Sequence, residues 1–258
     1  MPENDLDLLI KAAKDAGKIA SRFFNASAQV WDKPDGAGPV TEADLAVDGM
    51  LRETLMAARP DYGWLSEETE DDLARIETQR TFIIDPIDGT RAFIEGSKSW
   101  SHSLAIVENG ISVAAVVYLP MMEKIYSASV GNGAYLNDMR LTVSDTDDMA
   151  NATALTAKPN LFAEHWKDGE PPLKRSFRSS LAYRLSLVAE GRFDAMLTFR
   201  PTWEWDIAAG VLIVQEATGR ASTQNGADLR FNNHKPQVNG VVAAGAKLHD
   251  TITSALIY

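Results

Sequence analysis

A short apolar run at residues 81–84 stops abruptly at the dipeptide Asp85-Pro86 and limits the folds that are open to this chain. A short apolar run bounded in this way predicts a buried β-strand. Pro86 has no backbone N–H to donate to a neighbouring strand, so we expect the strand to end there. The chain therefore needs a buried sheet, and a carboxylate is expected where one of its strands ends.

The residues from Asp85 onward carry the oxygen atoms that a hard divalent cation binds. Asp85 and Asp88 flank Ile87, whose carbonyl can turn outward, and hard cations prefer such ligands. Gly89 and Thr90 lead into a short helical segment whose backbone N–H groups can hold a phosphate oxygen. Asp, Pro and Gly also favour surface turns for local reasons, so this run alone leaves a simple turn open.

Further acidic segments elsewhere in the chain reduce the weight of the turn interpretation. They are Thr41-Glu42-Ala43-Asp44, Ser66-Glu67-Glu68 and Trp203-Glu204-Trp205-Asp206. Carboxylates from several segments are what a site for hard cations requires. The pattern therefore favours a metal site over an isolated turn.

The hydrophobic pattern predicts an α/β chain. Apolar residues recur at helical spacing over 6–23, and Thr41 is placed to cap a second helix that runs to Leu55, before Pro60. Strand-like runs at 103–107 and 111–118 predict an antiparallel meander. The second half is predicted to be helical at 184–190, extended at 193–199 and helical again at 207–217. Since no repeat or linker interrupts the chain, we predict one domain over 1–258, with packed halves of about 1–140 and 141–258.

Composition excludes several classes of protein. With 258 residues, 45% of them hydrophobic, the chain can form a full core. A formal net charge of -11 argues against a nucleic-acid polymer as partner, because binding a phosphate backbone needs a basic surface. The absence of cysteine excludes disulfides and cysteine nucleophiles, and the histidines lack zinc-site spacing, so structural roles are expected for them. The acidic N-terminal segment and the lack of a long apolar stretch predict a cytoplasmic protein without membrane contact.

Two runs, Asp-Pro-Ile-Asp-Gly-Thr at 85–90 and Trp-Asp-Ile-Ala-Ala-Gly at 205–210, resemble the two signatures of the inositol monophosphatase superfamily. The resemblance spans nearly the whole chain. It implies an αβαβα sandwich of the inositol monophosphatase and fructose bisphosphatase type, assembled as a homodimer. It also implies a magnesium-dependent, often lithium-sensitive phosphatase that hydrolyses a phosphate monoester of a small metabolite.

The resemblance assigns the metal ligands residue by residue. Glu67, Asp85 and the Ile87 carbonyl are implied to bind one Mg²⁺, and Asp85, Asp88 and Asp206 a second, so that Asp85 bridges the two. A third, weaker Mg²⁺ is implied on Glu67, which gives two or three ions in each active site. Paired metal ions suit phosphate hydrolysis because they neutralise charge on both the attacking and the leaving oxygen.

The resemblance also implies the catalytic and substrate-binding groups. Thr90, partnered by Asp44, is implied to orient and activate the attacking water, and Glu67 takes part in catalysis through its metal. The implied substrate-binding residues are Asp88, Gly89, Thr90, Arg184 and Asp206.

Family membership leaves the substrate open, and local residues favour one subgroup. Phe199 stands where inositol monophosphatases carry a glutamate that contacts inositol, and the stretch around residues 186–191 and 201–206 is more similar to bisphosphate nucleotidases of the CysQ type. A cation at Arg184 can meet a second phosphate, although a solvated helix arginine explains it equally well. Trp203 can stack on an adenine or pack beside the site.

A 3'(2'),5'-bisphosphate nucleotide is therefore the predicted substrate. The first alternative is an inositol-1-monophosphatase or a related sugar or histidinol phosphatase. A remote alternative is a protein that has the fold but serves as a non-catalytic binding partner. The intact acidic residues argue against that last class.

Overall fold

The computed structural model describes residues 3–26, 28–33 and 38–257. Helix α1 (Asp5–Phe23) is capped by Asn4, whose side chain accepts a hydrogen bond from the Asp7 N–H, and it buries one face of leucine and alanine side chains. The predicted amphipathic helix is confirmed. The antiparallel strands β1 (Val30–Asp32) and β2 (Pro39–Thr41) follow and lead into helix α2 (Glu42–Ala58).

Helix α2 begins where its predicted cap stands. The Thr41 hydroxyl accepts hydrogen bonds from the backbone N–H groups of Ala43 and Asp44, and the Asp44 carboxylate accepts one from the Thr41 N–H at 2.8 Å. This reciprocal pair satisfies N–H groups that the first turn of a helix leaves free. The helix continues past Leu55 to Ala58, close to Pro60 as expected.

A seven-stranded sheet forms the first half of the core, and its strand order is β3-β4-β5-β6-β7-β8-β9. Only the β3–β4 pair is parallel, so the predicted meander is confirmed as part of a longer antiparallel run. The strands are β3 (Gly63–Ser66), β4 (Arg80–Asp88), β5 (Ser101–Glu108), β6 (Ile111–Leu119), β7 (Lys124–Ser129), β8 (Gly133–Leu136) and β9 (Met139–Arg140). The short helix α3 (Thr90–Ile94) follows β4.

Strand β4 corrects one prediction, because it does not end at Asp85-Pro86 but runs on to Asp88. Its pairing with β5 shifts between Asp85, opposite Ser103, and Asp88, opposite Ser101. This irregularity is a β-bulge, and a bulge accommodates a proline because the extra residue needs no ladder hydrogen bond. The two aspartates therefore lie in a bent strand rather than beyond its end.

The second sheet has the order β11-β10-β12-β14-β13, with the parallel neighbours β11 and β12 on either side of β10. Its strands are β10 (Thr153–Thr156), β11 (Lys174–Ser176), β12 (Ala195–Trp203), β13 (Gly219–Ser222) and β14 (Gln237–Gly245). The remaining helices are α4 (Leu181–Ala189), α5 (Ala208–Glu216) and α6 (Ala246–Ala255). The helices and the strand predicted from residue 184 to 217 are thus present, with boundaries shifted by a few residues.

Buried side chains show how the layers stack. The largest apolar cluster joins Val117 of β6, Leu185 of α4, Ile213 of α5 and Met196 of β12, so α4 and α5 lie between the two sheets. A second cluster packs α1 and α2 on the outer face of the first sheet, and a third packs α6 on the outer face of the second. The order of layers is therefore helix, sheet, helix, sheet, helix, which confirms the αβαβα architecture.

The division into halves near residue 140 stays a prediction, as does the single domain over 1–258. The first sheet ends at Arg140 and the second begins at Thr153. Within residues 3–26, 28–33 and 38–257, no helix combines the length and apolar character needed to cross a bilayer.

Candidate active site

Three carboxylates from separate segments meet at one edge of the first sheet. The β3–β4 pairing places Ser66 beside Ile84, and the parallel strands then bring Glu67 next to Asp85. Asp206 arrives from the loop between β12 and α5. One oxygen from each of Glu67, Asp85 and Asp206 lies within 4.8 Å of the other two, a spacing that one metal ion can bridge.

Asp85 is the centre of this cluster and lacks the partners that a buried carboxylate needs. It is 1% exposed, and its Oδ1 has no hydrogen-bond partner among the residues that the structure describes. Burial and the negative charges of Glu67, Asp88 and Asp206 raise the pKa of Asp85 well above its usual range. Such an arrangement is unfavourable unless a cation compensates it. The donor set, all carboxylate and carbonyl oxygen, fits Mg²⁺.

Asp88 is turned toward the start of helix α4. Its Oδ2 accepts hydrogen bonds from the Ser180 hydroxyl at 2.6 Å and the Ala182 N–H at 2.7 Å, and its Oδ1 accepts a longer one from the Leu181 N–H at 3.3 Å. Burial raises the pKa of Asp88 to about 6, against the effect of these hydrogen bonds. Asp88 thus links β4 to α4, and Oδ1 is the oxygen less strongly engaged.

Thr90 and Asp44 form the pair that the sequence predicted. The Thr90 hydroxyl lies 3.3 Å from Asp44 Oδ1 and 3.1 Å from the Ile87 carbonyl oxygen, and its single proton can be donated to only one of them at a time. Asp44 Oδ2 is held by the cap of α2 through Thr41. Burial raises the pKa of Asp44 to about 6. Helix α2 therefore fixes the partner of Thr90.

Lys33 is a site residue that the sequence analysis missed. It follows β1, and its Nζ lies 2.6 Å from Glu67 Oε1 and 2.7 Å from Glu68 Oε1. Burial opposes its charge, but the two carboxylates outweigh burial and raise the pKa of Lys33. Burial also raises the pKa of Glu68 to about 7. A lone lysine has no sequence signal, because only the tertiary fold brings it to Glu67.

His102 is a second missed residue beside the site. It is fully buried on β5, and its Nδ1 is hydrogen-bonded to the Pro86 carbonyl at the bulge of β4. Burial lowers the pKa of His102 to about 4, so the ring is neutral and Nδ1–H is the donor. His102 thereby supports the backbone between the two aspartates, a structural role consistent with the expectation for the histidines.

A cleft of about 640 Å³ opens above the carboxylates. It brings together most of the residues that the sequence selected: Glu67, Asp85, Ile87, Asp88, Gly89, Thr90 and Asp206. Arg91, Phe177, Ser179, Arg200 and Trp203 line it as well. A second cleft of about 620 Å³, beside Phe199 and Arg230, has no carboxylate among its described lining residues. The first cleft is therefore the candidate active site.

Arg184, which the sequence selected for a second phosphate, lies apart from the described lining of this cleft. Its guanidinium donates to the carbonyl oxygens of Arg178 and Ser179 and lies 4.2 Å from the centre of the Phe177 ring. Only 7% of Arg184 is exposed, and burial lowers its pKa to about 10. The structure thus brings Arg184 to the loop behind the cleft, and its role in substrate binding stays a prediction.

Comparison with known proteins adds an independent finding. A sequence model described as the inositol monophosphatase family matches residues 1–257. The chain belongs to the inositol monophosphatase family. Members of this family are Mg²⁺-dependent phosphatases that act on small phosphorylated substrates, and this chain is accordingly a phosphoric monoester hydrolase.

Relatives in the inositol monophosphatase family carry different names. The chain is 34% identical over 232 residues to the inositol-1-monophosphatase of Rhizobium meliloti, with 86% of each protein covered. It is 32% identical over 270 residues to the histidinol-phosphatase of Mycobacterium tuberculosis, with 99% of each covered. The solved IMPase of Thermotoga maritima superposes with a TM-score of 0.83 at 28% identity, covering 96% of this chain and 95% of that one.

Proposed function

We propose that this chain hydrolyses a 3'(2'),5'-bisphosphate nucleotide to a nucleoside monophosphate and orthophosphate at the Glu67, Asp85 and Asp206 cluster. The observation that supports a hydrolytic site is the buried Asp85 Oδ1 without a described partner, beside two further carboxylates and the Thr90–Asp44 pair. In the proposed arrangement, Glu67, Asp85 and the Ile87 carbonyl hold one Mg²⁺. Asp85, Asp88 and Asp206 hold a second, and a third rests on Glu67.

Bound Mg²⁺ supplies positive charge for the phosphate and an activated water. The side chains orient the attacking water and the phosphate. When Thr90 donates its proton to Asp44, the lone pairs of its hydroxyl are free to accept a hydrogen bond from the attacking water, which positions that water. The backbone N–H groups at Gly89 and Thr90 are proposed to hold a phosphate oxygen. In the reaction the water oxygen bonds to phosphorus, the phosphate ester bond breaks, and the leaving oxygen takes up a proton.

The substrate part of the proposal rests on residues in and beside the cleft. Phe199 lies outside the described lining of the cleft and packs against His165 and Trp166, with ring centroids 5.2 and 6.2 Å apart. The position where the resemblance expects an inositol-contacting glutamate therefore holds an apolar ring turned toward other aromatic side chains. Trp203 lines the cleft, where its ring can contact a base. These features favour a nucleotide over inositol.

The second candidate is hydrolysis of inositol 1-phosphate or histidinol phosphate. It is favoured by the printed names of the relatives from Rhizobium meliloti and Mycobacterium tuberculosis. Other relatives carry a name that states no phosphatase activity: that of Escherichia coli, at 30% identity, is named Nus factor SuhB. A non-catalytic binding partner is the remote alternative.

A phosphate-release panel separates these functions. Purified protein is assayed with 3'-phosphoadenosine 5'-phosphate, inositol 1-phosphate, histidinol phosphate and fructose 1,6-bisphosphate, each with Mg²⁺ and with excess EDTA. We expect Mg²⁺-dependent release, highest kcat/KM for the nucleotide, and none with EDTA. A preference for inositol 1-phosphate or histidinol phosphate supports the second candidate, and no release from any substrate supports the remote one.

Inhibition by Li⁺, a homodimeric assembly and a cytoplasmic location also stay predictions. The same assay with added Li⁺ tests the first, and light scattering of the purified protein tests the second. Fractionation of the source cells tests the third.

A further inference from the structure

Arg200 is the arginine of strand β12 that lines the cleft with Glu67, Asp85 and Asp206. Its neighbour Phe199 packs on the opposite side, against His165 and Trp166. The pairing of β12 with β14 shifts between Thr198 and Pro201, so Phe199 and Arg200 lie at a β-bulge, which turns side chains out of the regular alternation. Phe199 is partly buried against the apolar cluster of the second sheet, whereas Arg200 is exposed and lines the cleft. Arg200 is not among the residues that the sequence motifs select.

The Arg200 guanidinium is available to a ligand. The residue is exposed, and its guanidinium forms no hydrogen bond or ion pair with any residue in the described parts of the chain. The contrast with Arg184, whose donors are engaged by backbone carbonyls, is direct. A free guanidinium offers a planar fork of donors suited to a phosphate.

Two aromatic rings line the same cleft, and each is supported from behind. Trp203 stacks on Trp205 with ring centroids 4.7 Å apart and an interplanar angle of 9°. Phe177 is 47% exposed and is backed by the Arg184 guanidinium at 4.2 Å. Rings fixed in this way offer flat apolar surface to a base at little entropic cost. The cleft therefore combines a carboxylate cluster, aromatic surface and two arginines, Arg91 and Arg200, that pair with none of the described residues. Arg200 lies on the same strand as Trp203.

We propose that Arg200 binds a second phosphate of the substrate, away from the carboxylate cluster, while Phe177 and Trp203 contact the base. The phosphate at the cluster is hydrolysed and the phosphate on Arg200 is retained in the product. This inference rests on the proposed function and names the residue that selects bisphosphates over monophosphates. It transfers to Arg200 the role that the sequence indicated for Arg184.

The test compares substrates that differ by one phosphate. Steady-state kinetics are measured for Arg200→Gln with adenosine 3',5'-bisphosphate and adenosine 3'-phosphate. We expect kcat/KM to fall by about tenfold to a hundredfold for the bisphosphate, chiefly through KM, and by less than about twofold for the monophosphate. Arg52→Gln, which removes an exposed arginine on α2 far along the helix from Asp44, is the control for net charge and should change neither substrate.

Two further variants test whether the selective loss is specific to Arg200. Arg91→Gln removes the other arginine that lines the cleft, and we expect it not to reproduce the selective loss. Phe177→Leu should raise KM for both adenine nucleotides. An equal loss on both substrates in Arg200→Gln, no loss on either, or the same selectivity in Arg91→Gln overturns the proposal, since the charge then acts through the general field of the cleft or not at all.

A parallel pair, inositol 1,4-bisphosphate and inositol 1-phosphate, separates failure of this inference from failure of the nucleotidase proposal. If the wild type hydrolyses only the inositol compounds, the nucleotide proposal fails. The phosphate contact of Arg200 is then tested with the inositol pair alone. A selective loss on the bisphosphate supports the phosphate contact, and an equal change overturns it. A wild type that hydrolyses neither pair overturns both proposals.

Discussion

The Thr90 hydroxyl lies 3.3 Å from Asp44 Oδ1, although the two residues come from different helices and are far apart in sequence. Asp44 is held in place because its other carboxylate oxygen caps helix α2 through Thr41. One aspartate thus serves both the stability of a helix and the orientation of a group in the cleft. Substituting Thr90 rather than Asp44 separates these two roles.

Thr90→Val keeps the shape of the side chain and removes the hydroxyl. We expect kcat to fall by about 10²- to 10⁴-fold, because the water loses the group that orients it. The dissociation constant for Mg²⁺ should change little, as measured by calorimetry. Thr90→Ser retains the hydroxyl and should retain most of the rate. A Thr90→Val enzyme with the wild-type rate contradicts the proposed role.

The stabilisation by Mg²⁺ should increase with pH. Burial raises the pKa of both Asp44 and Asp88 to about 6 and that of Glu68 to about 7, and Asp85 and Asp206 are raised as well. A carboxyl whose pKa is raised by folding stabilises the fold below its unfolded pKa, and this contribution is lost as the pH rises through the folded pKa. Without metal, the folded state therefore loses stability between about pH 4 and pH 7. Over the same range the carboxyl groups lose their protons, so Mg²⁺ no longer has to displace them when it binds.

The measurement is the difference in Tm between Mg²⁺ and EDTA samples over the range from about pH 5 to pH 8. The difference in Tm at each pH removes the contributions of groups that do not bind the metal. His102 is one of these groups, and its lowered pKa makes the fold more stable as the pH rises. We expect the difference to grow with pH and to level off above the pKa values of the site. A difference that is constant or shrinks with rising pH contradicts the assignment of Asp85, Asp88 and Asp206 to the metal.

Arg184→Ala should weaken the mono- and bisphosphate substrates equally, unlike Arg200→Gln. Arg184 holds the carbonyl oxygens of Arg178 and Ser179, just before Ser180, which donates to Asp88. Its loss should loosen this loop and lower kcat/KM without regard to a second phosphate. Arg184→Lys keeps the charge but cannot reproduce the same pair of contacts. Its kcat/KM should therefore lie between those of the wild type and Arg184→Ala. A selective loss on the bisphosphate would restore Arg184 as a phosphate ligand.

Glu204→Gln should destabilise the fold near Asp206. Glu204 is fully buried, and its carboxylate accepts hydrogen bonds from the backbone N–H groups of Asn232 and Asn233 at 2.6 and 3.0 Å. A glutamine amide places N–H donors where an acceptor is needed, so we expect a loss of roughly 1–3 kcal/mol in the free energy of unfolding. Denaturant unfolding measures it, with the exposed Glu70→Gln as control. An unchanged midpoint would show that this carboxylate is not needed.

Much of the fold and site could be predicted because the relevant residues are close together in sequence. The cap at Thr41, the apolar face of α1 and the meander after residue 101 follow from local periodicity and turn chemistry. The run from Asp85 to Thr90 likewise carries several cleft groups within one segment. The bend at Pro86 was missed, because whether a proline ends a strand or sits in a bulge depends on the partner strand.

The motifs of this chain already specify the chemical groups of the site: hard oxygen donors, a hydroxyl and an aspartate partner, in an order that resembles one superfamily. Which other side chains reach these groups depends on the folded arrangement. It brought Lys33 to Glu67 and His102 to Pro86, turned Arg184 toward backbone carbonyls, and placed Arg200 in the cleft. Such contacts join residues that are distant in the chain. Their geometry depends on strand register and layer packing, which the local sequence around a single residue does not reveal.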